Sequence, residues 1–198
     1  MTELAEKKVL RRAQAHAAAR SGILEAARRL ALKSAARELS LRSVAAEAGF
    51  APAALYGYFA GKDELLLALA ADDLALLARA MRDAAARSQG ETRLGAAASA
   101  AVSLLRDMQS LAAAAGSLPQ NAGSSDAERL FNGRLIAALK ALSDASGNPL
   151  DSRERQCDAV LVAAAVAGVA LLARSGRLDA LGFSVDEILA RLSGRFAA

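Results

Sequence analysis

Apolar residues recur at helical spacing along almost the whole chain, and this pattern predicts α-helices and no strands. The clearest run has apolar positions at i, i+3, i+4 and i+7, which are Leu41, Val44, Ala45 and Ala48. Ser40 precedes this run as an N-cap that accepts from the first-turn N–H groups. Gly49 follows it, and glycine takes the left-handed conformation after a helix without steric cost. The pattern therefore predicts a two-turn helix with one buried stripe.

Two further helices are predicted on either side of this one. The preceding helix has its apolar stripe at Ile23, Ala27, Leu30 and Ala31. Pro52 stands where the following helix would begin, since proline is favoured at the first helical position. In that helix Leu55 and Phe59 form an inward pair, and the residues left pointing away are Ala53, Ala54, Gly57 and Tyr58. A helix, a glycine-containing turn and a short helix within about twenty residues have helix-turn-helix spacing.

The rest of the chain is predicted to form longer helices. They run from Lys62 to about Arg87, from about Thr92 to Ala115, from Ser125 to about Ser143, from Asp151 to Arg174, and from Ser184 to the last residues. Capping boxes open the last three, with Ser125 and Glu128, Asp151 and Glu154, and Ser184 and Glu187 as the pairs. The composition of residues 116–125 and 143–150 predicts loops. In the first of these helices the positions predicted to be buried are Leu65, Leu66, Leu69, Leu76, Leu77 and Met81.

Composition narrows the class of protein. The chain has 198 residues, of which 54% are hydrophobic and 4% are aromatic. Because strands favour β-branched and aromatic side chains, this balance argues against all-β and parallel α/β folds. A single cysteine excludes a disulfide framework within the chain and a Cys-based zinc site, and it suggests a reducing compartment. A single histidine argues against a His-rich metal centre. Neither a metal nor a cofactor is predicted.

Neither membrane insertion nor export is predicted. The longest charge-free apolar run spans residues 159–173, which is shorter than the ~20 residues that a spanning helix needs. Charged residues are frequent among the first twenty, so no apolar signal-peptide core is present there. A cytoplasmic, soluble helical protein is the expectation.

Charge is distributed unevenly between the two ends. Residues 1–62 hold eleven basic and five acidic side chains, whereas residues 63–198 hold fourteen basic and sixteen acidic ones. The basic first third indicates an anionic partner for that part alone, and nucleic acid is the commonest such partner.

The stretch from Ser40 to Leu66, SLRSVAAEAGFAPAALYGYFAGKDELL, closely resembles the DNA-binding domain of the tetracycline-repressor (TetR) family of bacterial regulators. The resembling residues are Ser40, Val44, Ala45, Ala48, Gly49, Leu55, Tyr56, Tyr58, Phe59, Lys62, Glu64 and Leu65, preceded by Ile23, Ala26 and Ala27. The resemblance implies an all-α chain: a flexible basic N-terminal arm over residues 1–20, a helix-turn-helix DNA-binding domain over 21–66, and a larger helical effector-binding and dimerisation domain over 67–198.

The resemblance places a DNA-binding surface at Ser40, Arg42, Ala53, Ala54, Tyr56, Gly57, Tyr58 and Lys62. Tyr56 and Lys62 match the family's phosphate contacts. A cation at a helix N-terminus opposes the macrodipole, so the position of Lys62 favours a bound phosphate over a solvated lysine. We predict that Tyr58 and Arg42 contact base edges, with a phosphate contact or plain surface charge as equal alternatives for Arg42. Ser40 combines a capping role with donation to a phosphate.

The sequence departs from the family's pattern in the recognition helix. Ala51 stands where a Ser or Thr usually caps this helix, and Ala53, Ala54 and Gly57 replace residues that often contact bases. Direct readout of base edges needs donors and acceptors, which these residues lack. Affinity is therefore expected to depend on phosphate contacts and a few longer side chains.

Two roles are predicted for the C-terminal domain. A stripe of small and apolar residues, Cys157, Leu161, Ala164, Gly168 and Leu171, together with Leu189 and Leu192 of the last helix, resembles the family's dimer interface. An ordinary intramolecular core is the alternative.

Candidate pocket residues are Met81, Leu105, Met108, Phe131 and Leu135, for which core packing is the favoured alternative. A pocket of this composition suits a hydrophobic or amphipathic small-molecule effector. Cys157 is interpreted as a buried, inert thiol rather than an oxidant sensor.

The basic residues of the arm allow two interpretations. Lys7, Lys8, Arg11 and Arg12 either enter the minor groove or follow the backbone of DNA, or they belong to a solvated tail, which the composition favours. His16 is interpreted as an exposed residue with no role.

Together these features predict a homodimeric, ligand-responsive repressor that binds a palindromic operator in double-stranded DNA. The main alternative is an architectural or partner-binding protein that uses the same DNA-binding domain without an effector. Catalysis is not predicted, because the sequence has no nucleophile–base pair, phosphate-binding glycine loop or metal-ligand spacing.

Overall fold

The computed structural model describes residues 3–33, 39–108 and 126–197. Within these ranges the chain forms nine helices and no strand, so the predicted all-α class is confirmed. The helices are α1 (Glu3–Lys33), α2 (Leu41–Ala48), α3 (Pro52–Leu55), α4 (Lys62–Ala86), α5 (Thr92–Leu105), α6 (Asp126–Ser146), α7 (Arg153–Arg174), α8 (Arg177–Ala180) and α9 (Val185–Phe196).

The ends of α2 are capped by its own local sequence, as predicted. The hydroxyl of Ser40 accepts from the backbone N–H of Ser43 at 3.0 Å, and the Ser43 hydroxyl reaches back to the N–H of Ser40 at 3.1 Å. This reciprocal pair is a capping box with serine in the third position. Gly49 ends the helix at φ 74°, in the left-handed region that favours glycine.

The recognition helix α3 is shorter than predicted, because it covers Pro52–Leu55 and then continues as a turn. The N–H groups of Gly57 and Tyr58 each donate to a carbonyl three residues back, which is a tighter turn than an α-helix. Ala51 provides no side-chain cap at the start of α3, as expected. Leu55 and Phe59 are almost completely buried, so the predicted inward pair is confirmed.

Helix α4 belongs to two hydrophobic cores. Its first two turns pack Leu65, Leu66 and Leu69 against α1, α2 and α3. Further along, from Ala70 onwards, it packs against α5 and α6 in the core of the C-terminal domain. The prediction that Leu76 is buried is wrong, because its side chain is 44% exposed. Leu76 lies two turns beyond Leu69 on nearly the same face, where the N-terminal core has already ended.

The remaining helix bounds differ from the predicted ones in detail. Helix α5 ends at Leu105, well before Ala115, and α6 runs to Ser146 instead of Ser143. The cap of α7 is Ser152, which accepts from the N–H of Arg155, and not Asp151, which forms an ion pair with the Arg155 guanidinium at 3.0 Å. The one-turn helix α8 was not predicted. Ser184 and Glu187 do form the predicted capping box of α9.

Part of the sequence interpretation lies outside the described residues. The predicted loop over residues 116–125, the last turns of the helix predicted to reach Ala115, and Ser125 in its capping box all fall there. The predicted arm over residues 1–20 falls mainly within the described part, where residues 3–20 are continuous with the rest of α1.

Candidate DNA-binding surface and subunit interface

The exposed side of α3 carries the predicted recognition residues. Ala53, Ala54 and Gly57 are exposed, and the side chain of Tyr56 is 64% exposed. Because Leu55 and Phe59 hold the opposite side of this segment in the core, these four residues face outwards together. The surface has little hydrogen-bonding capacity apart from the Tyr56 hydroxyl and the backbone.

Two cationic side chains lie at the starts of the helices before and after α3. Arg42 is the second residue of α2 and is exposed, and the cap residue Ser40 is exposed one residue before the helix. Lys62 is the first residue of α4 and is half-buried. Gly61 caps α4 without a side chain, and the carboxylate of Glu64 accepts from the backbone N–H of Ala60 at 2.6 Å. The start of α4 therefore combines the backbone N–H groups of a helix N-terminus with a positive side chain, which suits an anionic oxygen.

The prediction that Tyr58 points away from the core is wrong, because this residue is half-buried and packs against the N-terminal core and α1. Its ring stacks on His16 with centroids 4.6 Å apart and an interplanar angle of 23°, and its edge approaches Phe50 at 6.1 Å. His16 is exposed, as predicted, but it is not uninvolved, because its ring contacts Tyr58. One turn further along α1, the guanidinium of Arg20 lies 5.0 Å from the centre of the Phe59 ring. Helix α1 thus supports the recognition segment directly.

An ion pair joins α1 to α2. The Arg29 guanidinium lies 2.9 Å from the carboxylate of Glu47. This hydrogen bond, followed by the charge of Lys33, holds the pKa of Glu47 below its ordinary value of 4.5. The pair is solvent-exposed, so it orients the two helices and contributes little to stability.

A second ion pair joins α1 to α4, near the boundary of the two cores. Two nitrogens of Arg28 donate to one carboxylate oxygen of Asp73, at 2.7 and 3.2 Å, and the Asp73 side chain is only 5% exposed. The neighbouring Asp72 is half-buried, and burial raises its pKa above the ordinary 3.8; the nearby charge of Asp73 adds to this rise, whereas Arg28, Arg20 and Arg134 oppose it. Charges from α1, α4 and α6 therefore meet at this boundary.

The stripe predicted as a dimer interface is the uncovered side of α7. Leu161 and Leu171 are 57% and 56% exposed, Cys157 and Ala164 are exposed, and Gly168 is half-buried. The opposite side of α7 contributes Val162, Val166 and Val169 to the core. The interpretation of Cys157 as a buried thiol is wrong, since this residue is exposed.

The two residues predicted from α9 lie differently. Leu189 is 3% exposed and packs in the core of its own chain, and Leu192 is half-buried against the same core. Leu189 is therefore a core residue, and the exposed apolar surface continues instead onto Ile136 of α6. Between α6 and α7 this surface forms an open groove of about 730 Å³ whose lining includes Ile136, Leu139, Val160, Leu161 and Cys157.

By length and composition alone, α7 would be able to cross a membrane. Its most apolar 18 residues have a mean hydropathy of 2.0, and 28% of them are buried inside the chain. The charge-free run counted in the sequence is shorter than this window, because the window admits a few charged residues. A long apolar helix with most of its residues outside the core needs a cover.

The candidate pocket residues do not share one environment. Met81 and Phe131 are buried in the C-terminal core, and Leu105 packs at its edge. Met108 is half-buried at the end of the described segment that follows α5, and Leu135 is 38% exposed on α6. Among the residues that the structure describes, no three His, Cys, Asp or Glu side chains are grouped so that they could hold a metal ion.

These features define an all-helical regulator with a DNA-binding helix-turn-helix domain and a second helical domain. The sequence model of the family described as bacterial regulatory proteins, tetR family, matches residues 23–69. Residues 23–69 thus match the DNA-binding domain of the TetR family, which confirms the resemblance noted in the sequence.

Solved structures agree with this fold over nearly the whole chain. A protein of unknown function from Rhodococcus sp. RHA1 is 28% identical, with a TM-score of 0.68 over 90% of this chain and 93% of the other. A TetR transcriptional regulator from the same organism is 21% identical, with a TM-score of 0.64 over 89% and 92%. FadR from Bacillus subtilis, in complex with stearoyl-CoA, is 16% identical, with a TM-score of 0.61 over 90% and 97%. No curated protein sequence matches the chain.

Proposed function

We propose that this protein is a homodimeric, ligand-responsive repressor that binds palindromic operator DNA. The observation that carries the proposal is the outward-facing α3 surface, held by Leu55 and Phe59, with Arg42 and Lys62 at the starts of the helices before and after α3. In this arrangement each subunit presents α3 to a major groove, with two half-sites about 34–36 Å apart. Tyr56 and Lys62 bind phosphates, while Arg42 and Tyr58 reach base edges.

The exposed side of α7 supports the homodimer. Leu161, Leu171 and Ile136 each leave more than half of their side chains uncovered in a single chain. A two-fold axis along α7 would bury the same patch on both subunits, as isologous interfaces do. This dimer would also cover the exposed apolar side chains of α7.

The effector is proposed to be apolar or amphipathic. The C-terminal core is built mainly from alanine, leucine and valine side chains, and FadR from Bacillus subtilis, which has a similar fold, was solved in complex with stearoyl-CoA. Small-to-medium apolar side chains suit an acyl chain better than a highly charged metabolite. If only highly charged metabolites released the protein from DNA, the apolar effector would be excluded.

Regulation would follow from a difference in affinity between two arrangements of the dimer. An effector that prefers an arrangement with the wrong half-site spacing must weaken DNA binding, and operator DNA must weaken effector binding by the same factor. Nothing in this scheme requires the protein to catalyse a reaction.

Footprinting on the DNA that flanks the protein's own gene tests the proposal. A repressor of this kind protects two half-sites related by two-fold symmetry, with centres about one helical turn apart. Uniform protection without a preferred site, unchanged by any effector, would indicate the architectural alternative instead.

A further inference from the structure

Helix α1 begins far ahead of the core that it helps to build. Its buried side chains start at Ile23, and the family match also starts there. Residues 5–18 are all exposed, and the half-buried positions of α1 begin at Ala19 and Arg20. At a rise of about 1.5 Å per residue, the part of α1 that precedes His16 is about 20 Å long.

This extension has a fixed direction relative to the recognition segment. His16 stacks on Tyr58 at 4.6 Å, and one turn later Arg20 lies over the Phe59 ring at 5.0 Å. Two contacts one helical turn apart fix both the position and the rotation of the helix. The side of α1 that carries His16 and Arg20 therefore faces the recognition segment.

The basic residues of the extension divide into two pairs around the helix. With about 100° per residue, Arg12 lies about 40° and Lys8 about 80° from His16, whereas Arg11 and Lys7 lie about 140° and about 180° away. Lys8 and Arg12 are exposed, and no ion pair among the described side chains neutralises either of them. One pair thus lies towards the recognition side, and the other pair points away from it.

We propose that the extension of α1 is a second DNA-contacting element, in which Lys8 and Arg12 bind phosphates next to the groove that receives α3. This proposal rests on the proposed function, since it takes duplex DNA as the partner. Charge complementarity selects that occupant: duplex DNA carries one negative charge per about 1.7 Å of its axis, so a helix that extends about 20 Å from Tyr58 passes several phosphates. The extension also compensates for the few hydrogen-bonding groups on Ala53, Ala54 and Gly57.

The test compares two double variants of the full chain with the same composition and charge. Lys8→Ala/Arg12→Ala removes the pair on the recognition side, and Lys7→Ala/Arg11→Ala removes the pair on the other side. Because phosphate contacts are sequence-independent, the probe is a fluorescein-labelled duplex of mixed sequence, about three helical turns long. Anisotropy titrations between about 50 and 200 mM salt give the slope of log Kobs against log salt concentration.

Each phosphate contact contributes about 0.9 to this slope. We expect Lys8→Ala/Arg12→Ala to lower it by about 1.8 for each subunit bound, and Lys7→Ala/Arg11→Ala to leave it near the wild-type value. Circular dichroism of both variants checks that the helix is retained. Equal slopes for the two variants would overturn the proposal, because a solvated tail responds only to net charge. In that case a lower slope for Lys62→Ala would leave the proposed function intact, whereas a wild-type protein with no salt-dependent binding would remove the proposed function itself.

Discussion

The proposed dimer predicts a large effect of a single leucine on the exposed side of α7. Leu161→Ala shortens a side chain that is 57% exposed in the single chain and that lines the groove between α6 and α7. Leu76→Ala is the matched control, because Leu76 is 44% exposed on α4, a helix outside the proposed interface. Both variants remove the same atoms from comparably exposed positions.

The magnitude follows from the exposed fraction. Burying a whole leucine side chain contributes about 1.5–3 kcal/mol, so the exposed 57% of Leu161 has about 0.9–1.7 kcal/mol to gain on association. In a two-fold interface each residue occurs twice, which gives about 1.8–3.4 kcal/mol per dimer. Since 1.4 kcal/mol corresponds to a factor of ten, Leu161→Ala should raise the dimer Kd by a factor between roughly 20 and 300.

Sedimentation equilibrium of the purified full chain measures this Kd directly. We expect Leu161→Ala to shift the monomer–dimer equilibrium and Leu76→Ala to leave it unchanged. Equal dimer Kd values for the two variants would move the interface away from this side of α7. A wild-type chain that stays monomeric at every concentration would refute the homodimer altogether.

Further predictions concern the DNA surface and the boundary between the cores. Lys62→Ala should weaken binding to every duplex in anisotropy titrations and lower the salt slope by about 0.9 per subunit; an unchanged slope would exclude the phosphate contact. Tyr58→Ala should cost about 1–3 kcal/mol at particular base pairs, and a uniform loss over a set of operator variants would make it a backbone contact instead. In urea unfolding, Arg28→Ala should lower the free energy of unfolding by about 1–3 kcal/mol, because it leaves the buried Asp73 carboxylate without this partner. Arg29→Ala, at an exposed pair, should lower it by less than about 1 kcal/mol. Equal losses for the two variants would contradict this reasoning. Asp72→Asn should raise the free energy of unfolding at neutral pH, and this gain should disappear below the ordinary pKa of 3.8. The pKa of Asp72 is raised in the folded chain, so the folded state favours the protonated carboxyl. The wild-type protein therefore loses stability as the pH rises through the folded pKa, whereas the uncharged Asn does not titrate. A gain in the free energy of unfolding that is independent of pH would refute the raised pKa of Asp72.

The sequence predicts those parts of the fold that depend on neighbouring residues. The cap at Ser40, the left-handed Gly49 and the capping box at Ser184 each involve residues within about one helical turn, so their spacing is visible in the sequence. The inward pair of Leu55 and Phe59 follows from helical periodicity for the same reason. Local rules do not determine which other element a side chain meets.

The features that were missed depend on contacts between distant parts of the chain. His16 and Tyr58 are far apart in the sequence, and nothing in the basic arm indicates a stacking partner. Helix α7 is apolar nearly all round, so periodicity does not show which side faces its own core. The sequence pattern therefore predicts one surface for Leu161 and Leu189, although the first is exposed and the second is buried.

Helix α4 contributes side chains to both hydrophobic cores, so a displacement of this helix would affect both domains. Leu66 and Leu69 belong to the N-terminal core, while Ala70 and Leu74, a turn further on, belong to the C-terminal core. A rotation or shift of α4 that suits one core therefore changes the packing of the other, because both are close-packed against the same rigid helix. The buried pair of Arg28 and Asp73 links α1 to α4 at this point, so α1 must follow α4 unless the pair breaks. Since α1 carries His16 against Tyr58, a displacement of α4 would be transmitted to the recognition segment without any contact between effector and DNA.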